Sequence, residues 1–369
     1  MKKTQKLLSM LFVVVIVFHS MIATFSAYTV PNSQNGIYIY SDPCPQGILD
    51  YALSSYGKFA KGHIDGNGIQ NCETVFLGSP FTIDNTNSQT PVYHFPIFSE
   101  NEIIATLCIY IDMGQTTDIN SPVYTGIASP FMVEELNALL LSKAQSTPVL
   151  LSYNEDNTIA KTEMRENRSL FATKNVTTSE KVCLDISSKI SQFSLDSLED
   201  NSSTRSATPP RKFLMLSFEG PQGSESWCSP YCCAAIIRYL RGSTTSPTAW
   251  SLLNLVYDNP TSTSTFGLEQ VRAVARHYGY SPVHSDTTLT QAAVVQEIVA
   301  ERPIFTAMNV SNSTSRHAMV LRGYDVNLGM YSFWNPWYTS YSTMQTSTMR
   351  IYDANANCSF TWNDTFYSW

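Results

Sequence analysis

The chain has 369 residues, a hydrophobic fraction of 43% and a formal net charge of −7. This length and composition predict a folded protein of two domains and exclude a disordered chain. The negative charge argues against nucleic-acid binding, and the cysteines and histidines match no metal-site spacing, so we expect no cofactor and no metal.

Residues 1–27 have the pattern of a secretory signal peptide. Lys2, Lys3 and Lys6 precede an apolar run over residues 7–22, which is followed by small residues. The alternative is an uncleaved membrane anchor, but the run is shorter than the ~20 residues that a membrane-spanning helix needs. We therefore expect a secreted, extracellular monomer that has no membrane contact after signal removal.

Residues 28–195 are predicted to form an N-terminal α+β domain. Apolar alternation over residues 92–98 and 103–111, with a polar turn between them, predicts a β-hairpin. The apolar spacing over residues 130–144 predicts a helix, and residues 148–152 are typical of a further strand.

A polar stretch, residues 196–211, follows this domain. It is rich in serine, threonine, proline and charged residues, and it has too few apolar side chains to form a core. We predict an exposed linker that leads to a C-terminal domain over residues 212–369. The acidic excess lies before the linker, which also favours separable domains.

The segment after Cys228 predicts a buried helix. Its side chains are apolar nearly all round, Pro230 lies in the first turn, and Gly242 is placed to end the helix. Cys228 then lies at the helix N-terminus, where the dipole favours a reactive thiolate with a lowered pKa. The alternative is a structural or disulfide-bonded cysteine. Cys232 and Cys233, deeper in the helix, are expected to be inert core residues.

Three further helices and a strand are predicted between this helix and His317. The helices cover residues 246–256, 268–278 and 289–300, and the strand covers residues 303–308.

His317 begins an apolar strand, and a second, aromatic strand over residues 330–334 ends at Asn335. An antiparallel hairpin would bring the start of the first strand and the end of the second to one edge. Because the arms differ in length, we expect a bulge or bend near Gly323. Trp337 is placed to cover a hydrogen bond between Asn335 and His317. The alternatives are an ordinary core or surface histidine and a turn asparagine.

Four side chains in the order Gln222, Cys228, His317 and Asn335 supply the groups that peptide hydrolysis by a thiol requires. A thiolate attacks the carbonyl carbon, an imidazole moves the proton, an amide orients the imidazole, and a donor near the thiol stabilises the oxyanion.

Together with Trp227 and Trp337, these residues resemble the papain-like cysteine peptidases, most closely the secreted bacterial staphopain-like branch. The resemblance covers residues 212–369. It departs from the family at Ser229 and Pro230, where small Gly or Ala residues are common, so substrate specificity is not transferred.

The resemblance implies an α+β fold with a papain-like two-lobed catalytic domain, in which a helical lobe faces an antiparallel sheet lobe. It implies Cys228 as nucleophile, His317 as general acid and base, Asn335 as orienting residue and Gln222 as oxyanion donor, acting on a protein or peptide substrate. It also implies an inactive precursor with few or no disulfides.

In such a precursor, residues 28–195 would be a prodomain and intramolecular inhibitor, and the mature enzyme would begin within residues 197–212. The alternative for residues 28–195 is a permanent accessory domain. Two other functions are open for residues 212–369. The first is an amidase or acyl transferase acting on cell-wall or other peptides. The second is a non-catalytic host-binding protein on this scaffold.

Overall fold

The computed structural model describes residues 36–84, 91–111, 124–141, 148–154, 159–163, 181–198, 208–311, 313–353 and 358–369. The predicted signal peptide and residues 199–207 of the predicted linker lie outside the described residues. In the part of the chain that the structure describes, no helix is both long and apolar enough to cross a membrane. Helices and antiparallel strands both occur in the two parts of the chain, which confirms the α+β class.

The N-terminal part places one long helix on an antiparallel sheet. The helix is α1 (Gln46–Asn67), and the strands are β2 (Thr74–Gly78), β3 (Tyr93–Ser99), β4 (Glu102–Ile111) and β5 (Tyr124–Ser129). The buried residues of α1 include Ala52, Tyr56 and Ala60, which recur every four positions and give the helix one apolar face. Strands β3 and β4 pair in antiparallel register, which confirms the predicted hairpin.

A smaller sheet and a short helix complete this part. The sheet order is β7 (Ile159–Glu163), β6 (Val149–Tyr153), β1 (Tyr38–Ser41) and β8 (Val182–Asp185), while β9 (Lys189–Ser194) pairs with β2. The predicted helix over residues 130–144 is present as α2 (Val133–Leu141), and residues 142–144 lie outside the described residues.

The C-terminal part contains the four predicted helices: α3 (Cys228–Arg241), α4 (Ala249–Val256), α5 (Leu268–His277) and α6 (Gln291–Val299). Gly242 ends α3 with φ of 63°, in the left-handed region that glycine adopts without strain. Thr248 and Thr290 cap α4 and α6 by accepting hydrogen bonds from backbone N–H groups of the first turn.

The strands of the C-terminal part form one antiparallel sheet. They are β10 (Arg211–Phe213), β11 (Val283–Ser285), β12 (Ile304–Val310), β13 (Arg316–Asp325), β14 (Met330–Trp334), β15 (Tyr341–Gln345), β16 (Arg350–Asp353) and β17 (Cys358–Tyr367). The main order is β11-β17-β12-β13-β14-β15, with β10 beside β13 and β16 beside β17.

Successive side chains of β13 point alternately into two apolar clusters, one on each face of the strand. Ala318 and Val320 pack in the cluster that contains α3, whereas Met319 and Leu321 pack in the cluster that contains the apolar side chains of α6. Helix α3 therefore lies on one face of β13, close to the start of this strand, where His317 is located.

The two parts of the chain share one sheet, because β5 pairs with β15 through Ala128 and Thr343. The sequence did not indicate this pairing. Helix α1 also packs on β15, and Tyr341 donates its backbone N–H to Asn67 Oδ1 at 2.9 Å.

Both ends of the predicted linker take part in regular structure. Residues Leu195–Leu198 form a 3₁₀ turn with Leu195 buried, and Arg211 pairs with Asp325 at the edge of β13. Arg211 also forms an ion pair with Asp65 of α1, with 2.6 Å between Nη1 and Oδ2. Only residues 199–207 of the predicted linker remain without a structural description.

Candidate active site

Cys228 is the first residue of α3. No side chain caps the helix at Trp227, so the N–H groups of the first turn remain available near the thiol. The backbone N–H of Ala318, the residue after His317, also lies close to the Cys228 sulfur. The fold thus brings the start of α3 to the start of β13.

Cys228 is only 8% exposed, and it lies in an apolar cluster with neighbours such as Ala318 and Trp334. Burial raises the pKa of its thiol, while hydrogen bonds from the Ala318 backbone and from Ser229 act in the opposite direction. The expectation of a thiol with a lowered pKa is therefore wrong for this state of the chain, because desolvation outweighs the helix N-terminus. Cys232 and Cys233 are fully buried with raised pKa values, as predicted for core residues.

His317 and Asn335 meet as the hairpin prediction requires. Strands β13 and β14 are antiparallel, and their register shifts between Leu321 and Gly323, which confirms the predicted bulge. His317 Nε2 donates to Asn335 Oδ1 at 2.9 Å. The same oxygen accepts the backbone N–H of Trp337 at 3.1 Å. His317 Nδ1 is then the ring nitrogen that can take a proton from a thiol.

Aromatic rings enclose this hydrogen bond. The ring centroid of Trp337 lies 4.3 Å from that of His317, and that of Phe360 lies 4.8 Å away on another strand. Burial lowers the pKa of His317 to about 4, and the hydrogen bond to Asn335 opposes this shift. The neutral thiol and the neutral imidazole are therefore the favoured forms in this state of the chain.

The buried histidines give a prediction for stability against pH. Burial lowers the pKa of His63 to about 4, that of His94 to about 3 and that of His317 to about 4. Unfolded histidine has a pKa of ~6.5, so the unfolded chain binds more protons below this pH. The stabilisation is fully present above pH 6.5 and is lost as the pH falls toward the folded-state values.

We expect the free energy of unfolding to fall by about 2 kcal/mol per buried histidine between pH 7 and pH 5. Urea unfolding at both pH values measures this change. His94→Gln should reduce the difference, whereas His277→Gln, at an exposed position of α5, should leave it unchanged. Equal stability of the unmodified chain at the two pH values would contradict the burial of these rings in neutral form.

Gln222 lies beside the loop that carries Asn335. Its backbone N–H donates to Pro336 O at 2.8 Å. Its side chain is 5% exposed, and Nε2 donates to the backbone oxygen of Glu225. Oε1 is buried without a partner among the described residues. The structure contains no hydrogen bond between Gln222 and Cys228 in this state, and one Nε2–H remains for an oxyanion.

Asp353 and Tyr338 extend the site beyond the residues that the sequence indicated. Asn335 Nδ2 donates to Asp353 Oδ2 at 3.0 Å, and the Tyr338 hydroxyl donates to the same carboxylate at 2.9 and 3.0 Å. Tyr338 follows Asn335 by three residues and closes a turn onto its backbone oxygen. Asp353 ends a short strand and carries no sequence signal, since its proximity depends on β16 pairing with β17.

The other ionisable groups near the start of β13 form a separate network. Asp364 accepts from His284 Nε2 at 3.0 Å and pairs with Arg316 Nη1 at 2.7 Å. His284 lies in the short strand β11. Among the described residues, no group of three or more His, Cys, Asp or Glu side chains is arranged to hold a metal ion. All eight cysteines are free thiols.

The arrangement can perform nucleophilic acyl chemistry. A thiol stands at a helix N-terminus, an imidazole is oriented by an amide, and the imidazole keeps one nitrogen for the thiol proton. No curated protein matches this chain closely enough to suggest a function. Residues 214–365 match the model of the Peptidase_C39 like family, so this part of the chain is similar to a cysteine peptidase-like family.

Proposed function

We propose that the chain is a secreted cysteine endopeptidase made as an inactive precursor. One observation carries the proposal. Cys228, the first residue of α3, lies next to the start of β13, and there Asn335 orients His317. The match to the Peptidase_C39 like family over residues 214–365 supports peptidase chemistry. We also propose that residues 212–369 have the two-lobed papain-like arrangement and belong to the staphopain-like branch.

In the proposed mechanism, the Cys228 proton moves to His317 Nδ1 as sulfur attacks the scissile carbonyl. The oxyanion is stabilised by the Cys228 backbone N–H and by the free Nε2–H of Gln222. His317 then gives the proton to the departing amine, and an acyl-thioester remains. Water attacks this ester with His317 as base, and the carboxylic acid leaves with the thiol restored. Asn335 keeps the imidazole oriented throughout.

Latency is proposed to arise from the N-terminal part through the shared sheet. The described members of the apolar cluster around Cys228 all lie within residues 216–369, so the described residues 36–198 contribute no side chain to this cluster. Helix α1 contacts both β14 and β15, the strands on either side of Asn335, and β5 pairs with β15. We propose that these contacts hold the site in its closed state, in which the thiol is buried and protonated.

The maturation site gives a prediction. Backbone oxygens of Pro209 and Pro210 accept hydrogen bonds from the Tyr324 hydroxyl and the Val326 N–H, so a cut beyond Pro209 would break the β10 edge. We therefore expect the mature enzyme to begin between residues 197 and 209, in the N-terminal part of the predicted range. N-terminal sequencing of secreted protein checks this. An active, uncut chain would show that residues 28–195 are an accessory domain.

Two other functions remain as alternatives. An amidase or acyl transferase would use the same thiol and imidazole, but many wall amidases have a second histidine where this chain has Asn335, and this favours the peptidase. A non-catalytic host-binding protein would not need a side-chain amide holding His317 Nε2 at 2.9 Å.

One substrate separates these functions. A peptide of about ten residues, acetylated at its N-terminus and amidated at its C-terminus, is incubated with the mature protein and an excess of a free amine. Endopeptidase activity yields one acetylated and one amidated fragment, an amidase removes only the terminal amide, and a transferase joins the amine to a fragment. An intact peptide in assays of both the precursor and the mature protein would contradict the proposed function.

A further inference from the structure

Asn335 has two chemically different ends, and only one orientation of its amide serves His317. The orienting oxygen, Oδ1, accepts from His317 Nε2 at 2.9 Å and from the Trp337 backbone N–H at 3.1 Å. The nitrogen, Nδ2, points away from the imidazole and donates to Asp353 Oδ2 at 3.0 Å. The amide is thus held from both sides.

A carboxylate is the side chain that enforces this orientation, because it accepts hydrogen bonds and donates none. If the Asn335 amide rotated by 180°, its oxygen would face the Asp353 carboxylate at hydrogen-bond distance. Two acceptors would then oppose each other in a buried setting, and the N–H groups of His317 and Trp337 would both face Nδ2. Asp353 and Asn335 are 5% and 3% exposed, so water has little access to relieve such a mismatch.

The surroundings keep Asp353 in place. The Tyr338 hydroxyl donates to both carboxylate oxygens, at 2.9 and 3.0 Å. A cavity of about 10 Å³ lies beside Asn335, Tyr338 and Asp353. This volume holds no more than about one water molecule, so solvent cannot replace the carboxylate as the acceptor for Asn335 without rearrangement.

We propose that Asp353 is a positioning residue, whose carboxylate fixes the Asn335 amide and thereby the Nε2–H tautomer of His317. This inference rests on the proposed cysteine peptidase function for its catalytic consequence, but not for its structural content. The proton on Nε2 leaves Nδ1 free to receive the thiol proton of Cys228. In this proposal Asp353 influences the chemistry through Asn335 and not by direct contact with substrate or thiol.

Two substitutions of Asp353 distinguish the effect of its hydrogen-bond acceptor from the effect of its negative charge. Asp353→Leu removes the acceptor, so Asn335 can rotate. We expect kcat to fall about 30-fold with KM within twofold, since orientation acts on the chemical step. Asp353→Asn can still present a carbonyl oxygen to Asn335, so kcat should remain within about threefold. Asp325→Ala, a matched loss of a buried carboxylate at the end of β13, should leave kcat unchanged.

The direct readout is the tautomer of His317 in the full-length chain, measured by two-bond ¹H–¹⁵N correlations on histidine-labelled protein at pH 7. His317→Gln identifies the resonance. We expect the Nε2–H form in the unmodified chain, in Asp353→Asn and in Asp325→Ala, and a mixture of tautomers in Asp353→Leu. If Asp353→Leu does not fold, hydrogen exchange of Asn335 Nδ2 in the unmodified chain gives the answer. Protection supports the proposal, and exchange as fast as an exposed amide overturns it.

The kinetic and tautomer results distinguish failure of the positioning role of Asp353 from failure of the proposed peptidase function. A chain that cleaves peptides and keeps the Nε2–H tautomer and normal kcat in Asp353→Leu overturns the inference alone. A chain without hydrolysis, whose tautomer nevertheless depends on Asp353, overturns the proposed function and supports the positioning role. Equal loss of kcat in Asp353→Leu and Asp353→Asn would show that charge, and not the orientation of Asn335, is what Asp353 supplies.

Discussion

Replacing Cys228 with alanine is expected to reduce peptide hydrolysis by about 10⁴-fold or more, because the acyl-enzyme can no longer form. His317→Ala should have an effect of similar size, since neither residue acts without the other. The measurement is kcat/KM on the blocked peptide with the mature protein.

Cys233→Ala is the matched control for this prediction. Cys233 lies in the same helix, is fully buried and is not part of the proposed chemistry. Its replacement should leave kcat/KM nearly unchanged. The urea midpoint of Cys228→Ala should stay close to that of the unmodified chain, so that loss of activity is separated from loss of fold. Normal hydrolysis by Cys228→Ala would rule out the proposed nucleophile.

Arg322→Ala is expected to destabilise the whole chain by about 3 kcal/mol, because it leaves several buried acceptors without a donor. The Arg322 guanidinium is fully buried and donates to Leu214 O at 2.5 Å, to Ser332 Oγ at 3.1 Å and to Gly66 O of the N-terminal part. It also lies 3.5 Å from the ring centroid of Tyr341.

Urea unfolding of the full-length chain measures this prediction. Arg276→Ala, at an exposed position near the end of α5, is the matched control and should change the free energy of unfolding by less than about 0.5 kcal/mol. An equally small effect of Arg322→Ala would show that this contact between the N-terminal part and β13 contributes little to the stability of the chain.

Local signals made helix α3 and the β13–β14 hairpin predictable. Pro230 and Gly242 mark the two ends of α3, and the unequal arms around Gly323 require the bulge that the register shift shows. These features depend on residues close in sequence, where turn chemistry and apolar periodicity determine the geometry. The sequence alone therefore predicts that His317 and Asn335 lie at one edge of the hairpin.

Long-range pairing could not be predicted in the same way. Nothing in residues 124–129 or 341–345 indicates that β5 and β15 are neighbours, because either strand would fit beside many others. Asp353 reaches Asn335 only through the pairing of β16 with β17.

The burial of Cys228 also escaped the sequence, since a helix N-terminus predicts a lowered pKa and gives no measure of desolvation. The sequence thus indicated the proposed reacting groups, but it indicated neither the contact of Asp353 with Asn335 nor the protonation state of the thiol.

The most direct test of the central claim is covalent labelling of the mature protein with a peptide epoxide, an irreversible probe that requires a thiol activated by an imidazole. Tryptic mass spectrometry then locates the adduct among the four cysteines that the mature protein keeps, which are Cys228, Cys232, Cys233 and Cys358. We predict one adduct, on Cys228, with hydrolysis lost in proportion to labelling and no adduct in His317→Ala. An adduct on another cysteine, or continued hydrolysis after complete labelling of Cys228, would contradict the proposed active site.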